Sequence, residues 1–172
     1  MIILIGGASH TGKTCLAQAL LERYHYPYLS LDHLKMGLIR SGRTALTVFD
    51  DHLMTAEVWP IAREIIKTAI ENGQNLIIEG CYIPFTWRND FDDLYLPHIR
   101  DCFLIMTRRY IDTHFQTIRD QASIIEQRLD DSCLNPADLI RDNETILTQC
   151  REHGCRCILI DNEYPKEFDI QW

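Results

Sequence analysis

The sequence predicts an α/β fold in which helices cover both faces of a parallel β-sheet. Short, nearly continuous apolar runs alternate with segments of helical periodicity along the chain, which is the order of elements in three-layer sandwiches. The 172 residues suffice for one domain with a sizeable core. No Gly/Ser linker, repeat or low-complexity tract divides them, so we expect a single domain over residues 1–172.

Five short runs are predicted strands because nearly all of their residues are apolar, as expected for strands that are covered on both faces. They are Ile2–Ile5, Tyr28–Leu31, Leu76–Ile78, Cys102–Met106 and Cys157–Ile160. In parallel sheets of this kind, ligands bind at the carboxyl ends of the strands. The residues that follow the five runs are therefore the candidates for a site: Gly6–Thr14, Asp32, Glu79-Gly80, Thr107–Arg109 and Asp161.

Helical patterns occupy the first half of the chain between the predicted strands. Thr14–Tyr24 follows the first strand, and a second helix follows Asp32. His52–Asn72 is a longer pattern with Pro60 inside it, which indicates a kink or two helices. The segment Ser41–Asp51 has few apolar residues, so it is either a flap over a ligand or an ordinary surface loop.

Two further helices are predicted in the second half of the chain. Apolar residues repeat at four-three spacing from Ile111 to Leu129, which is the strongest helical periodicity in the sequence. Asn135-Pro136 is typical of a helix start, with the asparagine as N-cap and the proline in the first helical position. This last helix should end at Gly154.

Composition argues against several classes of function. The net charge of −8 disfavours nucleic acid as a partner, because a phosphate backbone selects a basic face. No apolar run approaches the roughly 20 residues of a membrane helix, and the first residues do not have the pattern of a secretory signal. We therefore expect a cytoplasmic protein that binds neither nucleic acid nor membrane; the sequence does not indicate an oligomeric state.

The loop after the first strand carries the most specific pattern in the chain. Residues 7–14 read G-A-S-H-T-G-K-T and match G-x-x-x-x-G-K-[ST], the phosphate-binding loop. Its N–H groups and the dipole of the following helix form an anion hole, Lys13 reaches the β- and γ-phosphates, and Thr14 ligates Mg²⁺. The predicted nucleotide-binding residues are Gly7, Ala8, Ser9, His10, Thr11, Gly12, Lys13, Thr14 and Cys15.

Other motifs narrow the class of phosphate-binding-loop protein. The N-K-x-D and D-x-x-G motifs of GTPases are missing, and the third predicted strand ends I-I-E-G rather than with the Asp-Glu pair of larger ATPases. Small kinases remain. Ser30-Leu-Asp32-His-Leu and Ile77-Ile-Glu79-Gly80-x-x-Ile83-Pro84, together with the loop, resemble the nucleoside-monophosphate-kinase-like P-loop kinases. The 2-phosphoglycerate kinase-like, zeta-toxin-like and chloramphenicol-phosphotransferase-like branches are the most similar.

This resemblance implies a P-loop NTPase fold with strand order 2-3-1-4-5 and assigns roles to two acids. Asp32 would face the γ-phosphate, where it could align or deprotonate the acceptor hydroxyl or hold a Mg²⁺-bound water. Its alternative role is to cap the following helix. Glu79 would bind Mg²⁺ through water or accept a hydrogen bond from a substrate hydroxyl. The alternative is that it is simply an acid at a strand end that is exposed to solvent. Adenylate kinases carry D-G-F-P-R where this chain has E-G-C-Y-I-P, which argues against an AMP acceptor.

The same resemblance assigns the basic residues. Arg40, Arg43 and Arg88 would bind the acceptor together with Asp32, Glu79 and Gly80, and the acceptor-binding helices would lie within residues 32–72. A lid within residues 115–135 would bring Arg119 and Arg128 over the phosphates, where cations neutralise the transferring group. Surface ion pairs are the competing role for both arginines.

Taken together, these expectations predict a function. The sequence predicts an ATP- and Mg²⁺-dependent kinase that phosphorylates a hydroxyl or a phosphate of a small metabolite, with Lys13, Asp32, Arg119 and Arg128 as catalytic residues. One alternative is an ATP-binding regulator or slow ATPase without an acceptor. A second is a toxin-like kinase whose acceptor is a nucleotide sugar. Neither the acceptor nor a preference for ATP over GTP can be read from the motifs.

Overall fold

A computed structural model describes residues 1–121 and 134–165 of the chain. The strands are β1 (Ile2–Gly7), β2 (Tyr28–Ser30), β3 (Leu76–Glu79), β4 (Ile99–Met106) and β5 (Cys157–Ile160). The helices are α1 (Lys13–Tyr24), α2 (Leu31–Arg40), α3 (Met54–Glu71), α4 (Arg108–Gln121) and α5 (Pro136–His153). Short 3-10 turns lie at Asp51–Leu53, Trp87–Asp90 and Leu96–His98.

The five strands form one sheet in the order β2-β3-β1-β4-β5, and every neighbouring pair is parallel. This confirms the predicted fold class and strand order. The registers align Ser30 with Glu79 and Glu79 with Ile5. The ends of β2, β3 and β1 therefore lie in adjacent positions at the carboxyl edge, where a ligand site is expected.

Alternate residues of β1 point to two separate apolar layers. Ile2 and Leu4 belong to a core cluster that includes residues of α3, whereas Ile3 and Ile5 join a cluster with residues of α1, α4 and α5. All six residues of β1 are buried. The sheet is thus covered on both faces, which explains why its strands read as continuous apolar runs.

The predicted elements differ from the observed ones mainly at their ends. Leu31 begins α2 instead of ending β2, and the long pattern around Pro60 is one helix preceded by the 3-10 turn Asp51–Leu53. Asn135 caps α5 as predicted, since its Oδ1 accepts from the Asp138 N–H at 2.9 Å. Gly154 ends α5 with φ of 66°. The pattern that continues to Leu129 extends beyond the described residues.

No helix in residues 1–121 and 134–165 is both long enough and apolar enough to cross a membrane.

Asn143 is a buried polar residue that joins α5 to the sheet. Its Oδ1 accepts from the Met106 N–H at 2.8 Å, and its Nδ2 donates to the Leu139 carbonyl at 2.8 Å. Met106 is the last residue of β4. The amide side chain therefore satisfies a backbone donor at the carboxyl edge of the sheet, where the parallel ladder ends.

We expect Asn143→Ala to lower the free energy of unfolding by roughly 1–3 kcal/mol, because it leaves a buried N–H without its acceptor. Urea unfolding followed by circular dichroism measures the change. Glu144→Gln is the matched control, since Glu144 pairs with Arg108 on the exposed surface and such pairs contribute little. Equal stabilities of the parent and Asn143→Ala would contradict this role.

Candidate functional site

The loop between β1 and α1 has a backbone that requires glycine at two positions. Gly7 has φ of 137° and Gly12 has φ of 80°, both in the left-handed half of conformational space. A Cβ at Gly7 would lie 2.5 Å from the Leu104 carbonyl oxygen of the neighbouring strand. His10 also has a positive φ, of 66°, so the loop turns sharply at its middle.

Lys13, the first residue of α1, is folded back onto this loop. Its Nζ donates to the Ala8 carbonyl at 2.7 Å, and only 6% of the residue is exposed. Thr11 Oγ1 donates to the same carbonyl at 2.9 Å. The Ala8 carbonyl thus accepts from both side chains and holds the Lys13 ammonium within the curl of the loop. A buried ammonium needs such a partner, because its burial without hydrogen bonds is unfavourable.

The N-terminus of α1 adds further positive potential to this place. No side chain caps the helix, and its first turn contains no acidic residue. The first N–H groups of a helix have no partners within the helix, and its dipole is positive at this end. With Lys13 beside it, the loop has the features of an anion site, and Thr14 in the first turn supplies a hydroxyl.

Tyr164, which follows β5, packs against the same loop. Its hydroxyl donates to the carbonyls of Thr11 and Gly12, both at 3.3 Å. Burial, followed by the nearby Cys15, raises the pKa of Tyr164, so the hydroxyl stays protonated and keeps donating. Tyr164 was not among the residues predicted from the sequence; its place after the last strand was the only signal that could have indicated it.

Two buried polar side chains lie side by side at the ends of β2 and β3. Glu79 is 1% exposed and is paired in register with Ser30. The Ser30 Oγ is buried and makes no hydrogen bond to the described residues. A buried hydroxyl and a buried carboxylate at this edge are oxygen donors of the kind that Mg²⁺ or its bound water prefers.

The predicted Mg²⁺ site can be compared with the side-chain ligands that the structure provides. Among the described residues, no three His, Cys, Asp or Glu side chains converge in a way that could hold a metal ion by themselves. Mg²⁺ seldom requires such a cage, because it retains waters and binds substrate phosphates with one or two protein oxygens. The oxygens of Thr14, Ser30, Asp32 and Glu79 at the carboxyl edge fit that mode of binding.

Asp32 lies in the first turn of α2 and is not the cap of that helix. Ser30 occupies the N-cap position, and it makes no capping hydrogen bond through its side chain. The Asp32 side chain is 42% exposed, and its Oδ1 lies 3.4 Å from Lys35 Nζ. The carboxylate is therefore open to a ligand on one side and held by an ammonium on the other.

Lys35 is the centre of a group of polar side chains whose association was not predicted from the sequence, although Asp32 and Tyr82 were each candidates for the acceptor site. Its Nζ lies 2.6 Å from Tyr82 Oη, 3.0 Å from Asp51 Oδ1 and 3.4 Å from Asp32 Oδ1, and Tyr82 Oη donates to Asp51. We call Asp32, Lys35, Asp51 and Tyr82 the Lys35 cluster. Lys35 follows Asp32 by three positions, so the two share a helix face, and this spacing was the available signal.

Gly80 brings the loop that contains Tyr82 against α2. It has φ of 152°, and a Cβ there would lie 2.8 Å from Leu31 Cβ. Leu31 is the first residue of α2 and is fully buried. Only glycine permits this close approach, which places Tyr82 within reach of Lys35.

The predicted acceptor-binding arginines are not gathered around Asp32. Arg40 ends α2, about 12 Å from Asp32 along the helix axis at 1.5 Å per residue, and Arg43 lies beyond the helix; both are exposed. Arg88 Nη2 pairs instead with Oδ1 of the buried Asp101 at 2.7 Å. Asp101 is aligned with Leu4, three residues before the end of β1, so this pair lies away from the carboxyl edge.

The predicted lid is described only in part. Arg119 is exposed on α4, where its Nη2 donates to Gln116 Oε1 at 3.0 Å. Arg128 and most of the segment 115–135 lie outside the described residues.

Comparisons with known proteins agree with the fold. A scan of protein families finds no match to the sequence, and a search of curated proteins finds none either. Among solved structures, a proposed kinase from Chloroflexus aurantiacus matches with a TM-score of 0.58 at 19% identity, covering 98% of this chain and 88% of its own.

Two further structures carry specific names. A shikimate kinase from Bacteroides thetaiotaomicron has a TM-score of 0.52 at 16% identity and covers 94% of this chain and 86% of its own. A deoxyadenosine kinase from M. mycoides has a TM-score of 0.53 at 15% identity and covers 94% of this chain and 90% of its own. The chain therefore has the fold of P-loop kinases.

Gly12 offers a direct test of the loop geometry. A Cβ there would overlap the Tyr164 hydroxyl oxygen, in addition to the strain of a φ of 80°. We expect Gly12→Ala to destabilise the protein by more than the roughly 1–2 kcal/mol of left-handed strain alone. Urea unfolding of Gly12→Ala and of Gly12→Ala/Tyr164→Ala should show that the second substitution relieves part of the loss.

Gly42→Ala is the matched control. Gly42 has φ of 68°, and a Cβ there would have no other atom within 4 Å, so the substitution reports strain without a clash. A loss at Gly12 no larger than that at Gly42 would contradict the contact with Tyr164.

Proposed function

We propose that the protein is an ATP- and Mg²⁺-dependent kinase that transfers the γ-phosphoryl group to a hydroxyl or phosphate of a small metabolite. One arrangement carries this proposal: an anion-binding loop around Lys13 and a set of acids at Asp32 and Glu79 share the carboxyl edge of one sheet. Phosphoryl transfer needs both a cationic place for the polyphosphate and a base for the acceptor.

The loop would hold the polyphosphate of ATP. Lys13 exchanges the Ala8 carbonyl for phosphate oxygens, and the N–H groups at the start of α1 donate to the same phosphates. When bound, Mg²⁺ would neutralise charge on the β- and γ-phosphates; Thr14 would hold it directly and Glu79 through water, and a water-mediated contact to the metal is the alternative role of Asp32. Arg119 and Arg128 would supply further cations to the transferring oxygens.

Asp32 would act on the acceptor. Its partly exposed carboxylate accepts the proton of the acceptor hydroxyl as that oxygen forms its bond to the γ-phosphorus and the bond to the β-phosphate oxygen breaks. ADP leaves, and the proton stays on Asp32 until it passes to solvent. Glu79 and Gly80 would border the acceptor at the end of β3, and Arg40, Arg43 and Arg88 were the cations expected there.

A regulator that binds or slowly hydrolyses ATP is the second candidate. The observation that favours it is the position of the arginines, since Arg88 pairs with Asp101 and Arg40 lies a helix length from Asp32. The two candidates differ in one measurement: Lys13-dependent labelling of a small molecule occurs only in a kinase.

Removal of the Lys13 ammonium should reduce phosphoryl transfer from γ-labelled ATP by about 100-fold or more, because a buried cation at the phosphates is lost. Lys67→Ala is the matched control, because Lys67 pairs with Glu64 on the outside of α3 and should be dispensable. EDTA should abolish transfer by the parent, and added Mg²⁺ should restore it. Transfer by Lys13→Ala at the parent rate would exclude the mechanism.

Asp32→Asn should lower kcat by roughly 10²–10⁴-fold, as expected when a general base is lost, while the dissociation constant of Mg·ATP stays near that of the parent. Asp112→Asn on the exposed surface of α4 serves as the control. Steady-state transfer and equilibrium nucleotide binding measure the two quantities. A variant that loses nucleotide binding and transfer together would assign Asp32 to the metal or the nucleotide instead.

A further inference from the structure

The donors of the Lys35 ammonium are already occupied. An ammonium group has three N–H donors and accepts nothing. Three oxygens surround it, namely those of Tyr82 at 2.6 Å, Asp51 at 3.0 Å and Asp32 at 3.4 Å. An acidic ligand that sought this ammonium would have to displace one of these oxygens.

Displacement is unfavourable because the Lys35 side chain is only 14% exposed and its partners hold the ammonium in the charged form. Burial lowers the pKa of Lys35, but the hydrogen bond and charge of Asp51, with the charge of Asp32, outweigh burial and raise it above the ordinary value. The Tyr82 hydroxyl, whose pKa is raised by burial and by its hydrogen bond to Asp51, remains a donor to that carboxylate.

The groups left for a ligand are acceptors of hydrogen bonds. The side chain of Asp51 is 59% exposed and that of Asp32 is 42% exposed, so each has carboxylate oxygen surface that faces outward. At the Lys35 cluster, two carboxylates thus meet one ammonium, and the summed charge of these side chains is negative.

Among the described residues, neither Asp32 nor Asp51 forms an ion pair with an arginine. Arg40 lies at the far end of α2, and Arg88 is committed to Asp101 on the side of β4. A phosphate or carboxylate on the acceptor would therefore face like charge without a cation to pair with it, which costs binding free energy. Hydroxyl and ammonium groups, which donate hydrogen bonds, would be bound instead.

We propose that the acceptor is a neutral or amino-bearing polyhydroxy compound without a phosphate or carboxylate group, and that Asp51 determines this specificity by accepting hydrogen bonds from it. The proposal rests on the proposed kinase function and narrows it to transfer onto a hydroxyl. Asp51 begins the 3-10 turn before α3 and contacts the same Lys35 ammonium as Asp32, but from a different segment of the chain.

The charge of the acceptor can be tested without knowing its identity. A protein-free metabolite extract of the organism that encodes the chain is separated on a strong anion exchanger at pH 8, and the unretained part is separated again on a cation exchanger. Each fraction is incubated with the protein, Mg²⁺ and γ-labelled ATP, and Lys13→Ala is the blank. We expect Lys13-dependent labelled product only from the fractions that the anion exchanger does not retain.

Each outcome bears on a different claim. Label from the neutral fraction or from the cation-retained fraction supports the inference, and the cation exchanger tells the two chemistries apart. Label only from the anion-retained fraction overturns it and leaves the kinase function intact. Absence of Lys13-dependent label from every fraction contradicts the kinase function, and the inference falls with it.

Asp51→Asn tests the residue assignment with the active fraction as acceptor. It should raise the acceptor KM by about tenfold, the loss of one hydrogen bond to a charged group, while the dissociation constant of Mg·ATP remains that of the parent. Asp50→Asn is the matched control: Asp50 accepts from Thr47 N–H and Oγ1 in the same segment but does not touch Lys35. Equal effects of the two substitutions would show that Asp51 only shapes the loop, which would overturn the assignment.

Discussion

The hydrogen bond from Lys13 Nζ to the Ala8 carbonyl holds a cation inside the turn between β1 and α1. This geometry exists because β1 is buried in the middle of the sheet and ends in glycines that allow the chain to reverse beside β4. The same turn starts α1, whose N-terminus has no side-chain cap and no acidic residue in its first turn. The buried ammonium and the helix N-terminus both contribute positive potential at the same loop.

The rest of the sheet places the opposite charge next to this cation. The order β2-β3-β1 sets the ends of the two strands that carry Ser30 and Glu79 beside the phosphate loop, and α2 follows with Asp32 in its first turn. A cationic half and an acidic half therefore share one edge. The chain has a net charge of −8, so the positive potential of the loop is a local exception within an acidic protein.

The fold and the glycine-dependent turn after β1 were predictable because each depends on local sequence. Burial on both faces makes a strand such as Ile2–Ile5 continuously apolar, and the loop needs glycines and Lys13 at fixed spacing. The ends of the elements were less predictable. Leu31 is apolar enough to extend β2, yet it is the first residue of α2, and its side chain packs against Gly80. That contact is between residues far apart in the chain, so no pattern along the sequence reports it.

The pairing of charged side chains shows more clearly that patterns along the sequence do not report contacts between distant residues. Arg88 follows the Glu79 loop in the sequence, which made it a candidate for the acceptor, but a short 3-10 turn carries it to Asp101 on the side of β4. Lys35 lies three residues after Asp32 and receives Asp51 and Tyr82 from two other segments. The sequence shows how many charges there are, whereas the tertiary contacts decide which of them neutralise one another. Because the Lys35 ammonium is paired with carboxylates of the protein itself, it is not left as an unpaired cation at this edge of the sheet.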